Sequence, residues 1–575
     1  MTEREDQVGK DGNMMIRKRI SRIASALAGT ALLVGMLSSS VWAAGGSADG
    51  AVTAGIIDPG MTGSITIHKT DAESGEGVPG AGFSVAQVGA ITTVSASEGT
   101  GTYVTGLDGT LQGIFESCGV MPESVDGGAS YRIDEIAAAC DTANRSAWKE
   151  LNALSSGSAS ASGVTGEDGT YTAESLVPGV YLIAETETPD GYLPGNSFLV
   201  MLPVTNTEEL TAGGQTYPAG TAWVYDIEAA PKNVSPVIEK YIVADDGETL
   251  TKSGDYSIGD EVRKVIIADA PCLADGYTSF EITDEMDNTL IYREIFGVYI
   301  GRKMSSEAKI SDIEALKQIK TGGYTAKVSE DGHSFTVSFG KSGISALNAL
   351  TEDSACYVVF GTEITEEAVP GTAMTNEPWY EIGNHTGKHR FDGNKTEEYT
   401  YGIRIEKSGV SDFSKVSFSV EKDGKALTFR KDAAGNYFPS VLDGAGPSLV
   451  PDGNGLIFIK GLDAGRYQLH ETSTEPGKNL LTGPLTVQLT AKSPLTGALQ
   501  KASVSAGEVT KTLKVVSTEK GTAKAVACLP VNNTTALTLH TGGAGYLVYG
   551  LLAAVFFGAA LVILKSAGRN GGRKQ

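Results

Sequence analysis

Two glutamates occupy strand positions that would normally be apolar. Period-two alternation places each Glu on the same side of the chain as an aliphatic residue two positions earlier and a Tyr four positions earlier. Burying a carboxylate is costly, so its repetition predicts a chemical role for the group. The two segments are 181-YLIAETETPDGY-192, which contains Glu185, and 467-YQLHETSTEPG-477, which contains Glu471.

A lysine of matching parity precedes each glutamate. Lys69 closes the segment 65-ITIHK-69, and Lys407 closes 403-IRIEK-407. In an apolar core the neutral forms of both groups are favoured, so the Lys becomes an amine nucleophile and the Glu a carboxylic acid. A buried ion pair that serves stability alone is the alternative, and the matching positions in two copies favour the chemical role.

An asparagine beside such a pair would complete a reaction. The acid can polarise the carboxamide and shuttle protons while the amine attacks, which gives an amide crosslink and releases ammonia. Asn233 lies near the end of the first copy. The second copy offers Asn532 and Asn533, and the parity of Val531 favours Asn533. The sequence therefore predicts one crosslink in each copy.

Strands must carry these residues, and the composition is typical of a β protein. A chain of 575 residues is too long for one core, and its 72 Gly, with many Thr, Ser and Val, favour short strands joined by turns. Two matching segments each contain a turn, a strand, a Gly-containing turn and a strand, which predicts a hairpin in two domains of one type. They are 167-EDGTYTAESLVPGVYLIAET-186 and 453-GNGLIFIKGLDAGRYQLHET-472.

Two further regions have other patterns. Segments 256–271, 279–292 and 335–340 alternate as strands and predict a third β domain between the copies. The segment 131–154 predicts a helical insertion in the first domain, because its apolar residues fall near helical spacing. They are Ile133, Ile136, Cys140, Ala147, Leu151 and Leu154.

Both ends carry membrane-directed patterns. Segment 14–46 has a basic start, an apolar stretch and small residues near Ala43 and Ala44, which predicts a secretory signal peptide. A retained membrane helix is disfavoured there because the apolar run is short and interrupted. Residues 546–564 lack charge over nineteen positions and precede four basic residues. This pattern predicts a transmembrane helix with a basic inner tail.

The charge excludes one class of partner. The formal net charge is −23, and removing +2 for residues 1–44 and +4 for residues 542–575 leaves −29 between them. An acidic exterior repels phosphate backbones, so nucleic acid is not expected as a partner.

Five cysteines in an exported chain allow at most two internal disulfides. The pairings that are local in sequence join Cys118 to Cys140 and Cys272 to Cys356, which leaves Cys528 alone. Buried unpaired thiols are an equal alternative for either pair, because no sequence rule fixes the connectivity.

The two glutamate segments resemble the E-box of collagen-adhesin B-type domains in Gram-positive surface proteins, with the pattern Y-x-L-x-E-T-x-A-P-x-G-Y. The first copy fits almost throughout, and the second lacks the final Tyr. The resemblance implies an all-β chain of three tandem Ig-like β-sandwich domains, the first with the helical insertion. It also implies that the Glu catalyses an isopeptide bond between a first-strand Lys and a last-strand Asn without a cofactor or metal. The implied sets are Lys69, Glu185 and Asn233, and Lys407, Glu471 and Asn533.

The middle region resembles the second domain of backbone pilins, in which an Asp takes the place of the Glu. Lys240 and Asp284 both have the parity of neighbouring apolar residues. Asn376, in 373-AMTNEPWY-380, is the third member that the resemblance implies.

Two assembly motifs extend the resemblance. The segment 223-WVYDIEAAPKN-233 is similar to the pilin motif W-x-x-x-V-x-V-Y-P-K, whose Lys, here Lys232, is joined to the next subunit. A solvated linker lysine is the alternative. The segment 537-LTLHTGGAG-545, the apolar span and the basic tail resemble a sortase sorting signal, in which only Thr541 and Gly542 match the L-P-x-T-G pentapeptide. Cleavage would fall between these two residues and leave Thr541 for transfer to Lys232.

The leading prediction is a structural protein, the major subunit of a covalently polymerised pilus on the cell wall of a Gram-positive bacterium. The expected partners are sortase, identical subunits, minor pilins, host surface ligands and peptidoglycan. A wall-anchored adhesin or minor pilin that does not polymerise through Lys232 is the alternative. The predicted divisions are a signal peptide at 1–44, domains at 45–234, 235–402 and 403–535, and a sorting signal at 536–575.

An independent enzyme is the poorest interpretation. The crosslinking chemistry is autocatalytic and runs once per site. The closest pair of histidines, in 385-HTGKH-389, lies among Gly and Asn in a predicted loop, and the sequence identifies no further ligands for a metal there.

Overall fold

The computed structural model of the chain describes residues 40–43, 52–96, 99–125, 128–139, 150–154, 159–305, 307–521 and 523–536. These residues are mostly short β-strands, which confirms the predicted mostly-β fold in this part of the chain. They separate into two compact units. The first comprises the described residues up to Ala368 together with Ala373–Tyr399, and the second comprises Val369–Thr372 and the described residues from Thr400 onward.

The N-terminal part of the first unit contains two facing sheets. Sheet A has the strand order β1-β17-β3-β10, and sheet B has the order β12-β11-β5-β6-β8-β7, with β9 also paired to β5. Smaller pairings are β13-β16-β2, β14-β15 and β18-β4. The strands are β1 (Ser40–Ala43), β2 (Val52–Ala54), β3 (Gly63–His68), β4 (Thr70–Asp71), β5 (Gly82–Ala96), β6 (Gly99–Thr105), β7 (Glu123–Val125), β8 (Gly128–Arg132), β9 (Ala161–Val164), β10 (Thr170–Leu176), β11 (Gly179–Glu187), β12 (Phe198–Leu202), β13 (Val204–Thr205), β14 (Leu210–Ala212), β15 (Gln215–Tyr217), β16 (Ala222–Val224), β17 (Asp226–Ala230) and β18 (Lys232–Asn233).

The core of this part lies between sheets A and B. Ile65 and Ile67 of β3 belong to the same buried cluster as Tyr181 and Ile183 of β11. These are the apolar residues whose parity Lys69 and Glu185 share, so the alternation predicted from the sequence is confirmed for both strands.

A helical insertion covers the outer face of sheet B. Helices α1 (Gly109–Ser117) and α2 (Ile133–Ala139) contribute to a second buried cluster that includes Val180 and Leu182 of β11. The insertion is therefore confirmed, although α1 was not predicted and Tyr131 belongs to β8 rather than to a helix. Residues 140–149 lie outside the described part of the chain.

The predicted hairpins are wrong. Strand β10 pairs with β3 in sheet A, whereas β11 pairs with β5 and β12 in sheet B, so the chain crosses between the sheets at this turn. Pro178 lies in that turn and has no backbone N–H to continue a ladder. The second copy has the same crossing, because its two corresponding strands also lie in different sheets.

The middle section of the chain, which completes the first unit, also contains two sheets. Sheet C has the order β20-β19-β22-β28-β24-β25, and sheet D has the order β21-β31-β29-β23-β27-β26, with β30 also paired to β29. Phe335 of sheet D packs against Phe360 of sheet C, with ring centroids 4.9 Å apart. The elements are β19 (Ile238–Val243), β20 (Leu250–Thr251), β21 (Ser253–Asp255), β22 (Glu261–Ala270), β23 (Ser279–Met286), β24 (Leu290–Arg302), α3 (Ile310–Glu314), β25 (Lys317–Gln318), β26 (Tyr324–Val328), β27 (Ser334–Phe339), α4 (Lys341–Asn348), β28 (Ser354–Ile364), β29 (Met374–Gly383), β30 (Lys388–Asp392) and β31 (Thr396–Tyr399).

The second unit repeats the two-sheet arrangement. Sheet E has the order β35-β36-β37-β32-β43-β42, and sheet F has the order β34-β33-β38-β39-β40-β41. Ile403, Ile405, Tyr467 and Leu469 lie in one buried cluster between them. The elements are β32 (Tyr401–Ser408), a 3-10 helix (Phe413–Lys415), β33 (Ser417–Lys422), β34 (Lys425–Ala426), β35 (Phe429–Lys431), β36 (Tyr437–Pro439), β37 (Leu456–Leu462), β38 (Gly465–Ser473), β39 (Leu485–Ala491), β40 (Leu499–Ala506), β41 (Val509–Thr512), β42 (Lys514–Val516) and β43 (Val526–Asn532).

No disulfide joins Cys272 to Cys356, so the alternative of two separate thiols is the one found here. Cys356 lies in β28 opposite Ala268, and Cys272 is four residues further along the chain from Ala268. That spacing is roughly 13 Å in an extended chain, beyond the roughly 4–7 Å between Cα atoms that a disulfide needs. Cys272 instead donates from Sγ to the Leu350 carbonyl at 3.3 Å.

The other cysteines form no disulfide within the described residues either. Cys118 is half-buried, and its predicted partner Cys140 lies outside the described part of the chain. Cys528 is buried, and Arg404 Nη2 donates to its Sγ at 3.2 Å.

The predicted membrane-directed ends lie largely outside the described residues. From the predicted signal peptide only residues 40–43 are described, and they pair as β1 with β17. The predicted span 546–564 is not described. Within the described part of the chain, no helix has the length and apolar character needed to cross a membrane.

Candidate functional site

The first E-box site brings its three predicted residues together in the core. Lys69 follows β3, Asn233 ends β18, and Glu185 reaches them from β11 in the facing sheet. Lys69 Nζ lies 2.8 Å from Glu185 Oε2, and Asn233 Nδ2 donates to Glu185 Oε1 at 2.9 Å. The exposed fractions of Lys69, Glu185 and Asn233 are 0%, 6% and 0%. The carboxylate therefore bridges the amine and the carboxamide, and water is nearly excluded.

The second E-box site has the same arrangement in sheets E and F. Lys407 Nζ lies 3.1 Å from Glu471 Oε1, and Asn533 Nδ2 donates to Glu471 Oε2 at 3.0 Å. Asn532, the alternative in the sequence, is exposed, and its Oδ1 accepts from Ser408 Oγ at 3.1 Å. The structure thus brings Asn533, and not Asn532, to the site.

Parallel strand pairing explains why the Lys and the Asn meet. Strand β32 pairs in parallel with β43, and Lys407 is opposite Val531, two residues before Asn533. The β3–β17 and β4–β18 pairings are also parallel, and their common register places Lys69 opposite Pro231, two residues before Asn233. The Lys and the Asn of each E-box site therefore lie on adjacent strands, and the Glu comes from the opposite sheet.

A backbone donor holds each E-box carboxylate. The Gly195 N–H donates to Glu185 Oε2 at 2.8 Å, and the Leu481 N–H donates to Glu471 Oε2 at 3.0 Å. Each donor comes ten residues after its Glu, from the loop that follows the E-box strand. At Gly195 the loop passes so close that a Cβ would lie 2.9 Å from Lys69 Nζ. Sequence reasoning missed these donors because every residue except Pro has a backbone N–H.

In the middle site the Lys, the acid and the Asn lie on a different set of strands. Lys240 lies on β19 of sheet C, whereas Asp284 and Asn376 lie on the adjacent strands β23 and β29 of sheet D. Lys240 Nζ donates to Asp284 Oδ1 at 2.9 Å, and Asn376 Nδ2 donates to Asp284 Oδ2 at 2.6 Å. All three residues have an exposed fraction of 0%. The predicted set is thus assembled here as well, with the Lys rather than the acid on the opposite sheet.

Burial lowers the pKa of all three lysines. Loss of hydration is the largest cause in each case, and the neighbouring carboxylate partly opposes it. The pKa of Lys240 is lowered to about 8, and the charge of nearby Lys264 contributes to that lowering. A buried lysine with a lowered pKa exists as a free amine at lower pH than an exposed one, which is the form that can attack a carbonyl.

The three carboxamide oxygens share one property. Oδ1 of Asn233, Asn376 and Asn533 is buried and accepts no hydrogen bond from the described residues. An unsatisfied buried acceptor is unfavourable. Once the neighbouring carboxyl group is protonated it can donate to such an oxygen, which would polarise the carbonyl toward attack. The sites can therefore support nucleophilic attack by Lys on Asn.

A second buried ion pair lies near the middle site and was not predicted. Lys264 Nζ is 2.7 Å from Glu398 Oε1, and both side chains have an exposed fraction of 0%. The sequence contained a signal for this lysine. In 261-EVRKVIIADA-270, Lys264 has the same parity as Val262 and Ile266, which is the argument that identified Lys69 and Lys407.

Of the residues predicted to join one subunit to the next, only some lie in the described part of the chain. Lys232 is exposed although its neighbour Asn233 is buried, as alternation requires. Trp223, the first residue of the pilin-like motif, donates from Nε1 to the Gly55 carbonyl at 2.9 Å. Thr541 and Gly542 lie outside the described residues.

The histidine pair of segment 385–389 does not form a metal site in the structure. His385 Nδ1 contacts Asp275 Oδ2, and His389 Nε2 lies 2.9 Å from Thr386 Oγ1. Across the described part of the chain, no group of three or more His, Cys, Asp or Glu side chains is arranged to hold a metal ion.

Comparison with known proteins first gives a domain class. Residues 147–216 match the family model described as SpaA: Prealbumin-like fold domain. The matched segment contains the first E-box, with Glu185, and the loop that supplies Gly195.

Two curated relatives then give a protein class. Fimbrial subunit type 2 of Actinomyces naeslundii is 28% identical over 299 residues, which is 51% of this chain and 48% of that protein. Fimbrial subunit type 1 of Actinomyces viscosus is 27% identical over 128 residues, which is 22% of this chain and 21% of that protein. The matches thus span about half or less of these relatives. The resemblance to Gram-positive backbone pilins is confirmed.

Solved structures of pilins also align with this chain. The full-length major pilin SpaD from Corynebacterium diphtheriae aligns at 18% identity with a TM-score of 0.47, covering 84% of this chain and 99% of that one. The fimbrial protein FimP from Actinomyces oris aligns at 15% identity with a TM-score of 0.42, covering 84% of this chain and 100% of that one.

Proposed function

We propose that the chain is a structural subunit of a covalently polymerised pilus on the surface of a Gram-positive bacterium. The observation that carries this proposal is the recurrence of one buried arrangement, a Lys and an Asn on either side of a carboxylate, at three places in the chain. The sequence matches to fimbrial subunits support the same class. One crosslink then falls in each of three domains, at 45–234, 235–402 and 403–535.

Each crosslink forms in one autocatalytic reaction. The Lys ammonium passes a proton to the carboxylate, and the free amine Nζ attacks Cγ of the Asn. The carboxylic acid polarises the carbonyl and moves the proton from the attacking nitrogen to Nδ2. The Cγ–Nδ2 bond breaks, ammonia leaves, and an Nζ–Cγ amide remains. The acids in this role are Glu185, Asp284 and Glu471.

Burial favours this reaction over a lasting ion pair. Two ions in an apolar core lose hydration that their attraction only partly restores. The reaction replaces the ammonium with a neutral amide and leaves a carboxyl group that can stay protonated. Because the Lys, the acid and the Asn are already in contact, the entropic cost of bringing them together is met by folding.

Assembly between subunits uses a different lysine. We assign Lys232 as the nucleophile that sortase joins to Thr541 of the next subunit after cleavage before Gly542. The exposure of Lys232 beside the buried Asn233 supports the assignment, because one strand then presents one amine outward and one carboxamide inward. Pro231 fixes the backbone φ before this lysine. The C-terminal sorting signal would attach the last subunit to the cell wall.

The internal crosslinks are tested by the intact mass of the purified chain. One ammonia, about 17 Da, should be missing for each crosslink. Glu185→Gln keeps the size of the side chain but removes the acid, so it should retain one ammonia while the other two sites react. The control is Glu187→Gln, an exposed position on the same strand, which should show the same number of ammonia losses as the wild type, relative to the mass calculated from its own sequence. A full set of losses in Glu185→Gln would remove Glu185 from the mechanism.

Polymerisation is tested by denaturing gels of cell-wall extracts. The wild-type chain should give a ladder of high-mass species that resists boiling. Lys232→Ala should give only monomer attached to the wall, and the exposed Lys395→Ala should keep the ladder. A ladder in Lys232→Ala, with its crosslinked peptide at another lysine, would make Lys232 an ordinary linker residue. A single wild-type band would favour a wall-anchored adhesin.

A further inference from the structure

The proposed reaction in the middle region leaves one buried ion pair without a role. Lys264 Nζ and Glu398 Oε1 are 2.7 Å apart, and neither side chain is exposed. Oε2 of Glu398 accepts no hydrogen bond from the described residues. Burying a second pair of ions is unfavourable unless the pair contributes something besides stability.

Strand register places Lys264 on the same face as Lys240. In the antiparallel β19–β22 pair, Lys240 is opposite Ile266, and Lys264 is opposite Ile242. The two lysines are therefore diagonal neighbours, a separation that long side chains span easily.

Strand register also places Glu398 on the strand next to that of Asn376, the residue whose carboxamide is attacked. Asn376 of β29 is opposite Thr396 of β31, and Glu398 is two residues further along the same strand. On its other side β29 pairs with β23, where Asn376 is opposite Met286, two residues from Asp284. Asn376 thus lies on the strand between two strands that each present a buried acid.

The E-box sites have a backbone hydrogen-bond donor where the middle site has the Lys264–Glu398 ion pair nearby. There the acid accepts a backbone N–H from the loop ten residues later. Within the described residues, the hydrogen bonds to Asp284 come from Lys240 and Asn376. The middle site therefore lacks a donor that stays in place during the reaction, and the nearby fixed cation is Lys264.

We propose that Lys264 and Glu398 are positioning residues for the middle crosslink, with Lys264 helping Lys240 to pass its proton to Asp284 and Glu398 holding Lys264 in place. The inference rests on the proposed function. The covalent step is unchanged: Lys240 passes a proton to Asp284, Nζ bonds to Cγ of Asn376, and ammonia leaves. Lys264 and Glu398 form and break no bond.

The charged groups around Lys240 define the expected pH dependence. They are Asp284 from β23, Lys264 from β22 and Glu398 from β31, and the Tyr256 phenol in turn faces Glu398. Lys264 lowers the pKa of Lys240, and Glu398 raises it by less. Removing both charges should therefore raise the pKa of Lys240, so its proton passes to Asp284 less often. The pH above which the pair loses this proton, and crosslinking declines, should then be higher.

The test follows the three crosslinks in time in the full chain, synthesised in a cell-free system with lipid nanodiscs. Samples are quenched in acid and digested, and the three crosslinked peptides are quantified by mass spectrometry from pH 6 to 9.5. In Lys264→Met/Glu398→Gln, the Lys240–Asn376 peptide should form about tenfold more slowly at pH 7, and the pH above which its rate declines should be higher than in the wild type. The other two peptides should form at the wild-type rate and report on folding.

Two further variants separate charge from packing. Lys264→Arg/Glu398→Asp keeps both charges and changes both shapes, so it should crosslink faster than the uncharged variant. Lys388→Met/Glu381→Gln removes a partly exposed ion pair between β30 and β29 and should match the wild type. Equal slowing in the charged and uncharged variants at residues 264 and 398 would show that packing alone matters and would overturn the proposal.

Three other results would also overturn it. They are a wild-type rate in Lys264→Met/Glu398→Gln, a slowing with no upward shift of the pH at which the rate declines, and a crosslinked peptide that joins Asn376 to Lys264. Failure of the proposed function has a separate signature, because the wild-type chain itself would then lack the Lys240–Asn376 peptide.

Discussion

The E-box sites and the middle site contain the same chemical groups on different strands. In the E-box sites the Lys and the Asn lie on adjacent parallel strands, and the acid comes from the facing sheet. In the middle site the acid and the Asn lie on adjacent antiparallel strands, and the Lys comes from the facing sheet. An E-box crosslink would therefore join neighbouring strands of one layer, whereas the middle crosslink would join the two layers of the sandwich.

The acids of the E-box sites and of the middle site have different surroundings. The E-box Glu accepts a backbone N–H from a loop that closes over the site, which costs no additional buried charge. The middle site has a second ion pair, Lys264 with Glu398. The chemistry thus depends on the proximity of three groups and a dry environment more than on the strands that supply them.

The largest expected effect comes from replacing the Asn that the Lys attacks. The loops closed by the crosslinks have similar lengths, with 164, 136 and 126 residues between Lys and Asn. By the loop-entropy relation used for disulfides, each should contribute roughly 5 kcal/mol. Asn233→Ala, Asn376→Ala and Asn533→Ala should therefore each show one ammonia loss fewer, relative to the mass calculated from the sequence, and lower the melting temperature of one region by a similar amount. Asn532→Ala is the control and should change neither.

These variants test whether the crosslinks of the E-box sites and of the middle site are equivalent. If Asn376→Ala leaves the thermal stability of the middle region unchanged, a crosslink between layers is not equivalent to one between neighbouring strands. If Asn532→Ala behaves like Asn533→Ala, the assignment of the second E-box site is wrong.

An intermediate effect is expected from pH. The pKa of Lys240 is lowered to about 8, mainly by burial. Below that pH the proton moves within the Lys240–Asp284 pair, so the middle crosslink should form at a constant rate. Above that pH the pair loses this proton and with it the acid, so the rate should fall by about tenfold per pH unit. The time course of the Lys240–Asn376 peptide in freshly synthesised chain measures this. A rate that keeps rising above pH 8 would show that the shared proton is not required.

The smallest effect concerns the loop that covers the first E-box site. Gly195→Ala places a Cβ 2.9 Å from Lys69 Nζ in the present geometry, so the amine or the loop must move. The Lys69–Asn233 crosslink should form several-fold more slowly, and overpacking should cost roughly 1–3 kcal/mol. Leu481→Ala at the corresponding position should leave the Lys407–Asn533 crosslink unchanged, because only the backbone N–H of Leu481 donates to Glu471. Equal rates in Gly195→Ala and the wild type would show that the close approach has no kinetic effect.

Side-chain parity in the sequence was sufficient to predict which residues of a strand face the core. Alternation predicted that Lys69, Glu185, Lys407 and Glu471 face the core, because a strand buried on one face repeats every two residues. Alternation also places Lys264 on the core side of its strand.

Features that depend on tertiary pairing could not be predicted in this way. The hairpin prediction was wrong because a turn motif does not show whether the next strand returns to the same sheet or crosses to the facing one. The choice between a Cys272–Cys356 disulfide and separate thiols stayed open because strand register, which separates the two residues, is absent from a local pattern. Helix α1 has only nine residues and is stabilised by packing on sheet B, so its own periodicity gave little signal.

The position of Asn376 within its region has a mechanical consequence. With its crosslink in place, tension that enters the middle region at β19 crosses from Lys240 to Asn376 and leaves residues 241–375 unloaded. In the E-box sites Asn233 ends the last strand of its domain and Asn533 directly follows the last strand of its own, so almost none of either domain lies beyond the crosslink. In the middle region residues 377–399, which include β30 and β31, follow the crosslink and would carry the load through hydrogen bonds alone. Their 23 residues could extend by up to roughly 80 Å, which would make this region the compliant part of an otherwise inextensible chain.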